Sequence, residues 1–420
     1  MKKRILICCI IFILIVTGCR NGKKEVKTDV ETPMNKGGLV FESNDDNSMF
    51  DLSNLNTKIY DKNDNVIGEI ERFGLISLID GGLFYPAMAK GSSYGHEIKD
   101  FYMYDIKSGE KYKLGSMEDI IYEVSYARVL LNDHIYTIFT TGDADNKETW
   151  TYNLVDFDLK NRSMDIIFSD KNTYLYNDMD SIGDDLLILR HNDGVSSIKR
   201  YDTKKKTFTE LKQYTYDYNN EIGETIYKLY YNELEGSIYT IRCQYNATDS
   251  NNLFIDKCDK HMNLISSTEI TSDAIYDYDE ADTENNSEKR QPVFGFFCQN
   301  NYMYYENRSI SRIVGKIENN SIISLVNDCP NDYAAAISVK KGNKIHAFCK
   351  PFNEDNPLYA LDTESGEMKE TSFKVKSDDR YCIEGVYQYG DKLLLDMGDR
   401  EIHASDEREP RLYLLDLNEN

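Results

Sequence analysis

The sequence predicts an all-β chain that uses one four-strand unit repeatedly, and three observations carry this reading. The stretch "FYMYDIKSGEKYKL" (101–114) alternates apolar and polar residues, ends in Asp105, turns through Lys107, Ser108 and Gly109, and resumes as a second alternating run. Alternation with a period of two marks a half-buried strand, not a helix. Variants of that stretch recur down the chain, and no long segment with the helical period interrupts them. The chain also holds 32 Tyr and 17 Phe against 7 Pro, which suits pleated surfaces where rings pack across strands.

The variants are "WTYNLVDFDLKNRSMDIIF" (150–168), "SIKRYDTKKKTFTEL" (197–211), "NLFIDKCDKHMNLISSTEI" (252–270), "SISRIVGKIENNSIISL" (309–325), "PLYALDTESGEMKETSF" (357–373) and "RLYLLDLNEN" (411–420). Each is a strand, an Asp or a substitute, a polar turn, then another strand. The Asp carboxylate closes the turn by accepting hydrogen bonds from backbone N–H groups about two residues on. Asp105, Asp158, Asp202, Asp362 and Asp416 are therefore read as structural turn residues. Gly109 and Gly366 supply a positive φ that Lys or Asn must supply, less easily, elsewhere.

Each unit has an upstream half, a short apolar strand followed by a second strand. The second strands are "DGGLFYPAMA" (80–89), "NDHIYTIFTT" (132–141), "GDDLLILRH" (183–191), "EGSIYTIRCQY" (235–245), "QNNYMYYENR" (299–308), "GNKIHAFCK" (342–350) and "GDKLLLDMG" (390–398). From Asp105 to Asp416 is 311 residues, six intervals of about 52. Four short strands at that period predict a β-propeller blade. Seven blades is the expectation, with eight or six as alternatives. The last unit stops after its third strand, so an N-terminal strand, with Asn65–Ile70 as the candidate, is expected to complete it and remove an open edge.

"YMYDIKSGEKYKL" and "LYALDTESGEMKE" resemble the degenerate Tyr-x-x-Asp-x-x-x-Gly turn of bacterial TolB-like and YVTN-like propellers. The resemblance covers most of residues 57–420 and implies the fold alone, because several propeller families share this turn. A single Trp, Trp150, excludes repeated Trp-Asp patterns, and Gly81-Gly82 is a lone doublet.

The N-terminus is an address. Lys2, Lys3 and Arg4 precede an apolar run, Ile5 to Val16, of 12 residues. A spanning helix needs about 20, whereas this length suits the core of a signal peptide. The run ends in "VTGC" (16–19), which resembles a bacterial lipobox. The resemblance implies cleavage before Cys19 and a diacylglycerol thioether on its sulfur. Acyl chains contribute roughly 0.8 kcal/mol per buried methylene. The expected organisation is signal peptide 1–18, flexible tether 19–38 and one propeller domain 39–420, lipid-anchored to the outside of the bacterial cell membrane. The polar, aperiodic 20–38 segment suits a tether.

The net charge is −23, and removing residues 1–18 with their three cations makes it −26. That argues against nucleic-acid binding, which needs clustered positive charge. Six Cys remain beyond Cys19: Cys243, Cys258, Cys298, Cys329, Cys349 and Cys382, with no CxxC pair. Buried thiols and disulfides both fit, and Cys243–Cys258 is the pair to test first.

Candidate chemistry is sparse. The six His (His96, His134, His191, His261, His346 and His403) fall in different units, with no HExxH, nucleophile elbow or P-loop. No catalytic residue, metal ligand or cofactor is assigned. The acidic stretches "DMDSIGDD" (178–185), "DADNKE" (143–148), "NDDNS" (44–48) and "DYDEADTE" (277–284) offer oxygen ligands suited to Ca2+, or simply solvated loops. "YTYDYNN" (214–220), "YKLYYN" (227–232) and "YMYYEN" (302–307) offer aromatic faces for sugars or protein partners, or rings that pack between blades. Three functions remain open: a monomeric, non-catalytic binding or scaffolding lipoprotein, which is the leading expectation; an extracytoplasmic glycan-acting lyase or glycosidase; and a solute-sensing or envelope-assembly accessory protein.

Replacing Cys19 by Ala is expected to move the mature protein from the membrane fraction to the soluble one. Retention of the cleaved variant on membranes would refute lipidation at this residue.

Overall fold

The computed structural model describes residues 54–416, apart from 75, 80, 91, 93–96, 124–127, 144–145, 172–174, 193, 218–219, 221, 246–251, 271–292, 308–311, 319–320, 325–334, 339–343, 349–354, 377–380, 391 and 400–408. The lipobox, the tether and the calcium-candidate stretches 44–48 and 277–284 lie outside the described residues.

Among the described residues, strands account for the regular structure, with one 3-10 turn at Lys147–Thr149. An N-terminal hairpin, β1 (Leu55–Tyr60) and β2 (Val66–Arg72), precedes the sheet β3 (Ser77–Ile79), β4 (Gly82–Met88), β5 (Ile98–Asp105) and β6 (Lys111–Glu118). The next sheet holds β7 (Ile120–Glu123) and β8 (Val129–Leu131), both paired with β9 (His134–Thr141), then β10 (Thr151–Asp158) and β11 (Ser163–Asp170). An eight-stranded sheet follows. Its first half is β12 (Leu175–Ile182), β13 (Asp185–Asn192), β14 (Val195–Asp202) and β15 (Thr207–Asp217). Its second half is β16 (Ile222–Asn232), β17 (Ser237–Tyr245), β18 (Asn252–Cys258) and β19 (Leu264–Ile270).

Two more four-stranded sheets are β20 (Val293–Gln299), β21 (Tyr302–Asn307), β22 (Arg312–Glu318) and β23 (Ser321–Ser324), then β24 (Ala335–Ser338), β25 (Lys344–Phe348), β26 (Asp355–Asp362) and β27 (Met368–Lys376). The last sheet takes β28 (Tyr381–Tyr389), β29 (Lys392–Asp399) and β30 (Arg411–Asp416), then returns to the N-terminus in the order β28-β29-β30-β1-β2.

The strand that meets β30 is β1, not the Asn65–Ile70 segment expected from sequence. Lys58, Ile59 and Tyr60 pair in parallel with Arg411, Leu412 and Tyr413, and β2 lies outside β1. Burial explains the choice. Thr57 and Ile59 in β1 are 0% exposed, whereas Val66 in β2 is 55% exposed, so β1 carries the inward-facing row. The hairpin enters with its first strand innermost, parallel to β30.

A buried ion pair fixes this junction. The Arg72 guanidinium donates to both Asp396 carboxylate oxygens, Nη1 to Oδ2 at 2.7 Å and Nη2 to Oδ1 at 2.6 Å. Its Nε donates to Thr57 Oγ1 at 3.2 Å and Nη1 also reaches the Gly74 carbonyl at 3.3 Å. The bridge thus spans from β2 over β1 and β30 to β29.

Apolar packing between sheets links consecutive units. Phe84 and Phe101 meet Phe139 and Phe157 from the next sheet, with Phe101–Phe139 and Phe84–Phe157 centroids 5.0 Å apart. Tyr136, Ile138 and Leu154 pack on Met179, Leu186 and Ile188. Leu187, Leu189 and Ile198 pack on Ile226, Leu229 and Ile238. Another cluster joins the two ends of the chain, with Ile59, Leu394 and Leu412 packed on Leu78, Leu83 and Tyr85. Each fully buried large side chain contributes roughly 1.5–3 kcal/mol. First strands also lie side by side: β8 against β12, β12 against β16, β16 against β20, β24 against β28, and β28 against β3.

The turn carboxylates act locally. Asp105 Oδ1 accepts from Ser108 N at 2.8 Å, Asp158 Oδ1 from Asn161 N at 2.8 Å, Asp202 Oδ1 from Lys205 N at 2.8 Å, and Asp362 Oδ1 from Glu364 N at 2.9 Å. Asp416 pairs with Lys392 across the sheet, and the turn expected after it lies outside the described residues. Asp61 and Asp259 close shorter turns in the same way, accepting from Asn63 N and His261 N, both at 2.8 Å. The left-handed position falls to Gly109 and Gly366, and where glycine is missing to Arg162 and Lys206, at φ 53° and 55°.

The Cys243–Cys258 pairing is not formed. Cys243 stands opposite Leu253, and Cys258 opposite Ile238, so they lie toward opposite ends of β17 and β18. Both are buried, like Cys298, and none of the three is in a disulfide.

Replacing Arg72 by Met should cost about 3–5 kcal/mol, because it strands a buried carboxylate. Urea denaturation checks this. Adding Asp396→Leu should recover much of the loss, and equal instability of the single and double variants would contradict the assignment.

Candidate functional site

Antiparallel meanders place their connections alternately at two ends. The Asp turns and the first-to-second strand turns share one end; the second-to-third strand loops and the unit-to-unit connections share the other. The chain enters at this second end. Asn54 donates Nδ2 to the Met88 carbonyl at 3.1 Å and accepts from Met88 N at 2.6 Å, at the close of β4.

At that end β15 and β16 run past their own units and pair with each other, through Tyr216–Gly223 and Asp217–Ile222. This is where the eight-stranded sheet is continuous. Asp217 caps the tip, accepting from Asn220 N at 3.2 Å and from its Nδ2 at 2.7 Å. Tyr216 N donates to the Gly194 carbonyl at 2.6 Å, tying the hairpin to the β13–β14 turn.

Gly223 shapes the site. It pairs with Tyr216 on one side and Tyr245 on the other. Its φ is +127°, and a Cβ there would stand 2.3 Å from the Thr215 carbonyl oxygen. A side chain would therefore be strained and would push β15 away. With none present, the Tyr216 and Tyr245 rings close over the glycine, centroids 4.1 Å apart and tilted by 35°. The Tyr227 and Tyr245 hydroxyls hydrogen-bond to each other. All three tyrosines are half-buried, and Ile222 at the tip is 53% exposed.

The same strands carry a charged row, which alternation puts on the face opposite Tyr245. Arg242 on β17 donates Nε to Asp256 Oδ2 at 2.5 Å and Nη1 to Glu224 Oε1 at 2.8 Å. Its guanidinium also lies over the Phe254 ring, 4.3 Å from the centroid. Burial pushes the neighbouring Tyr214 hydroxyl well above the ordinary phenol range, reinforced by nearby acidic groups.

The "DMDSIGDD" carboxylates do not form a calcium cradle. Asp178 Oδ2 accepts from Leu229 N at 3.0 Å and Asp180 Oδ2 from Tyr231 N at 2.8 Å. These two side chains cap the edge of β16 in the next unit. Lys228 Nζ stands 3.4 Å from Asp178, both almost fully buried. Burial raises the Asp178 carboxyl above its usual range, and Lys228 and the Leu229 N–H offset this only in part. Asp184 pairs with Lys204 at 2.7 Å and Asp185 with Arg200 at 2.6 Å.

The described histidines stay apart. His134 Nδ1 meets Asp156 Oδ1 at 2.8 Å, and His261 sits exposed in a turn. His191 is buried between units, with Nδ1 2.9 Å from Ser196 Oγ and 3.4 Å from Thr225 Oγ1. Burial pushes it down to about 4, with the Ile226 backbone pulling the other way. His96 and His403 lie outside the described residues, as do the side-chain surroundings of His346. Among the described residues no group of three or more His, Cys, Asp or Glu is placed to hold a metal ion.

Of the Tyr-rich stretches, Tyr216 and Tyr227 each meet Tyr245. Tyr245 was the residue sequence reasoning missed. Its signal is register, because only the pairing across Gly223 brings it to Tyr216. Tyr214, Tyr230 and Tyr231 pack inside, as strand tyrosines commonly do.

No family model matches the chain, and no curated protein matches it. Solved structures resemble it over most of its length, one of them a β-propeller domain. The propeller domain of the trilobed protease from Pyrococcus furiosus is 10% identical, with a TM-score of 0.49, covering 87% of this chain and 94% of that one. The polysaccharide lyase Uly1 is 10% identical, with a TM-score of 0.47, covering 87% and 98%. The acylaminoacyl peptidase of Pyrococcus horikoshii is 12% identical, with a TM-score of 0.46, covering 81% of this chain and 51% of that longer one. Similarity at this level assigns neither a ligand nor a reaction.

A neutral buried histidine makes the fold acid-sensitive. Between pH 6.5 and about 4 the unfolded chain takes up a proton at His191 that the folded chain resists. Stability therefore falls as pH is lowered through that window, by about 3 kcal/mol from this residue. Urea denaturation of His191→Gln should show a shallower loss from pH 7 to pH 4 than the parent. Equal slopes would remove His191 as the cause.

Proposed function

We propose that the chain is an exported, lipid-anchored, non-catalytic binding protein. Its body is a closed seven-bladed β-propeller, held to the cell membrane through diacylglycerol on Cys19, and it takes its partner at the end that carries the Tyr216–Tyr245 hairpin. The observation that carries the reading is that hairpin, a half-exposed aromatic group set on a rigid sheet beside the loops.

Several findings support the architecture. Splitting the eight-stranded sheet at its two-residue junction leaves seven units: five have four strands, β7 and β8 share the first-strand position of another, and β1 is the fourth strand of the last. The apolar cluster between Leu412 and Leu83 joins the last unit to the first, as a ring requires. A binding role is supported by how the buried acids are used. Asp178, Asp180, Asp256 and Asp396 each hold a protein group. Glu235 likewise accepts from Tyr239 Oη at 2.6 Å and Asn300 N at 2.9 Å. The expected tether, residues 19–38, would reach roughly 25 Å if it behaves as a flexible coil. Because Asn54 and the hairpin share one end, the binding end would work close to the membrane.

The test is retention. Detergent-solubilised full-length protein is expected to bind envelope fractions washed free of membrane lipid, and Tyr216→Leu with Tyr245→Leu is expected to cut the bound fraction at least fivefold. Unchanged retention of the double variant would overturn the assignment of this end, and turnover of envelope glycan by the purified protein would overturn the non-catalytic reading.

A further inference from the structure

We infer that the N-terminal hairpin is a mechanical strap: it delivers tension from the tether to both sides of the junction between the last and first units, and holds that junction shut under load. The inference rests on the anchored, closed-ring reading above and adds what the closure does when the anchor is pulled. The chain enters through Asn54, whose side-chain amide grips the Met88 backbone of β4 in both directions, Nδ2 donating to the carbonyl at 3.1 Å and Oδ1 accepting from the N–H at 2.6 Å. Just beyond β2, Phe73 N donates to the Pro86 carbonyl of the same strand at 2.8 Å. The two feet of the hairpin are thus stapled to the first unit. Between them β1 pairs with β30 of the last unit. Ile59 and Ile70 pack into a cluster that holds Leu83 and Tyr104 from the first unit and Leu394 and Leu412 from the last.

The direction of the load decides how these contacts act. β1 starts at the end where the chain enters and runs toward the Asp-turn end, so a pull on the tether acts along the strand. Ladder hydrogen bonds lie across a strand, and a force along it loads them together instead of opening them one at a time. β1 has a ladder on each side, with β2 from Leu55–Arg72 to Tyr60–Val66 and with β30 from Lys58–Arg411 to Tyr60–Tyr413. Arg72 ties these layers crosswise, since its Nε holds Thr57 of β1 while its Nη groups hold Asp396 of β29. At the opposite tip, Tyr413 Oη donates to Asp64 Oδ1 at 3.0 Å, and its ring lies 5.4 Å from that of Tyr60. For β1 to slide, the Asn54 clamp, both ladders and the buried cross-tie must give way in one step. The first unit takes the load at Met88 and the last takes it at β30, so the pull is shared across the junction instead of falling on one side of it.

Constant-force optical tweezers test this on the mature chain, tagged at its first and last residues. Pulled by those ends, β1 is drawn toward the entry end and β30 toward the Asp-turn end, so the two parallel neighbours shear. Asn54→Ala removes the clamp. Arg72→Met with Asp396→Leu removes the cross-tie and leaves no buried charge alone. Each variant is expected to shorten the lifetime under load by about tenfold or more beyond the factor by which it speeds unfolding in urea, a difference of about 1.4 kcal/mol in the barrier. Measuring both rates on each variant separates resistance to load from ordinary stability. Variants weakened by the same factor in both assays, or in urea alone, overturn the strap. Asn54→Ala carries the test if the double variant does not fold, because Asn54 is only half-buried. None of these rates depends on lipid. If Cys19→Ala stays on membranes while the load effects hold, the anchor falls and the strap stands. If Cys19→Ala leaves the membrane and the load effects are absent, the strap alone falls.

Discussion

Arg72 and Asp396 lie 324 residues apart in sequence and form two hydrogen bonds to each other in a nearly dry setting. Neither charge tolerates that burial alone. The pair is satisfied only when β2, β1, β30 and β29 are stacked in that order, because the guanidinium must also reach Thr57 and the Gly74 carbonyl on the way. One interaction thus specifies how the beginning of the chain meets its end. The cluster of Ile59, Leu394, Leu412 and Leu83 supplies apolar burial around it but would accept several registers. The ion pair accepts one.

The same logic recurs at the inner strands. A strand at a sheet edge presents backbone N–H groups that must find acceptors. Asp178 and Asp180 reach from β12 to the amides of Leu229 and Tyr231 on β16, so side chains of one unit finish the hydrogen bonding of the next. Asn232 does this one unit further on, donating to the Cys298 carbonyl at 3.1 Å. Carboxylates that look like metal ligands in the sequence are joints between units. Their burial makes them poor candidates for chemistry and good ones for alignment.

The hairpin at the loop end follows from a local exception. Elsewhere among the described residues the outermost strand of one unit and the first strand of the next do not pair. At β15 and β16 both strands are 11 residues long, and Gly223 removes the side chain that would hold them apart. Two tyrosines then close over the gap. The site is thus the by-product of two long strands and one absent Cβ, supported from below by the His191, Ser196 and Thr225 contacts between the same units.

The repeating alternation made the strands legible without coordinates. Each of the seven second strands quoted from sequence falls on a strand, from Gly82–Met88 through Lys392–Asp399. Turn chemistry was legible at Asp105, Asp158, Asp202 and Asp362 because an Asp closes its turn with groups two or three residues away. Local pattern could not say which N-terminal strand meets β30, since β1 and β2 alternate equally well and only burial against Leu412 separates them. Nor could it separate Tyr216 and Tyr245 from the tyrosines that pack inside. The sequence by itself determined the strands, their turns and their period, because those depend on neighbours within a few residues. Tertiary structure alone decided which acids are joints, which cysteines stay apart and which tyrosines meet, because each depends on register between strands that the chain brings together from far away.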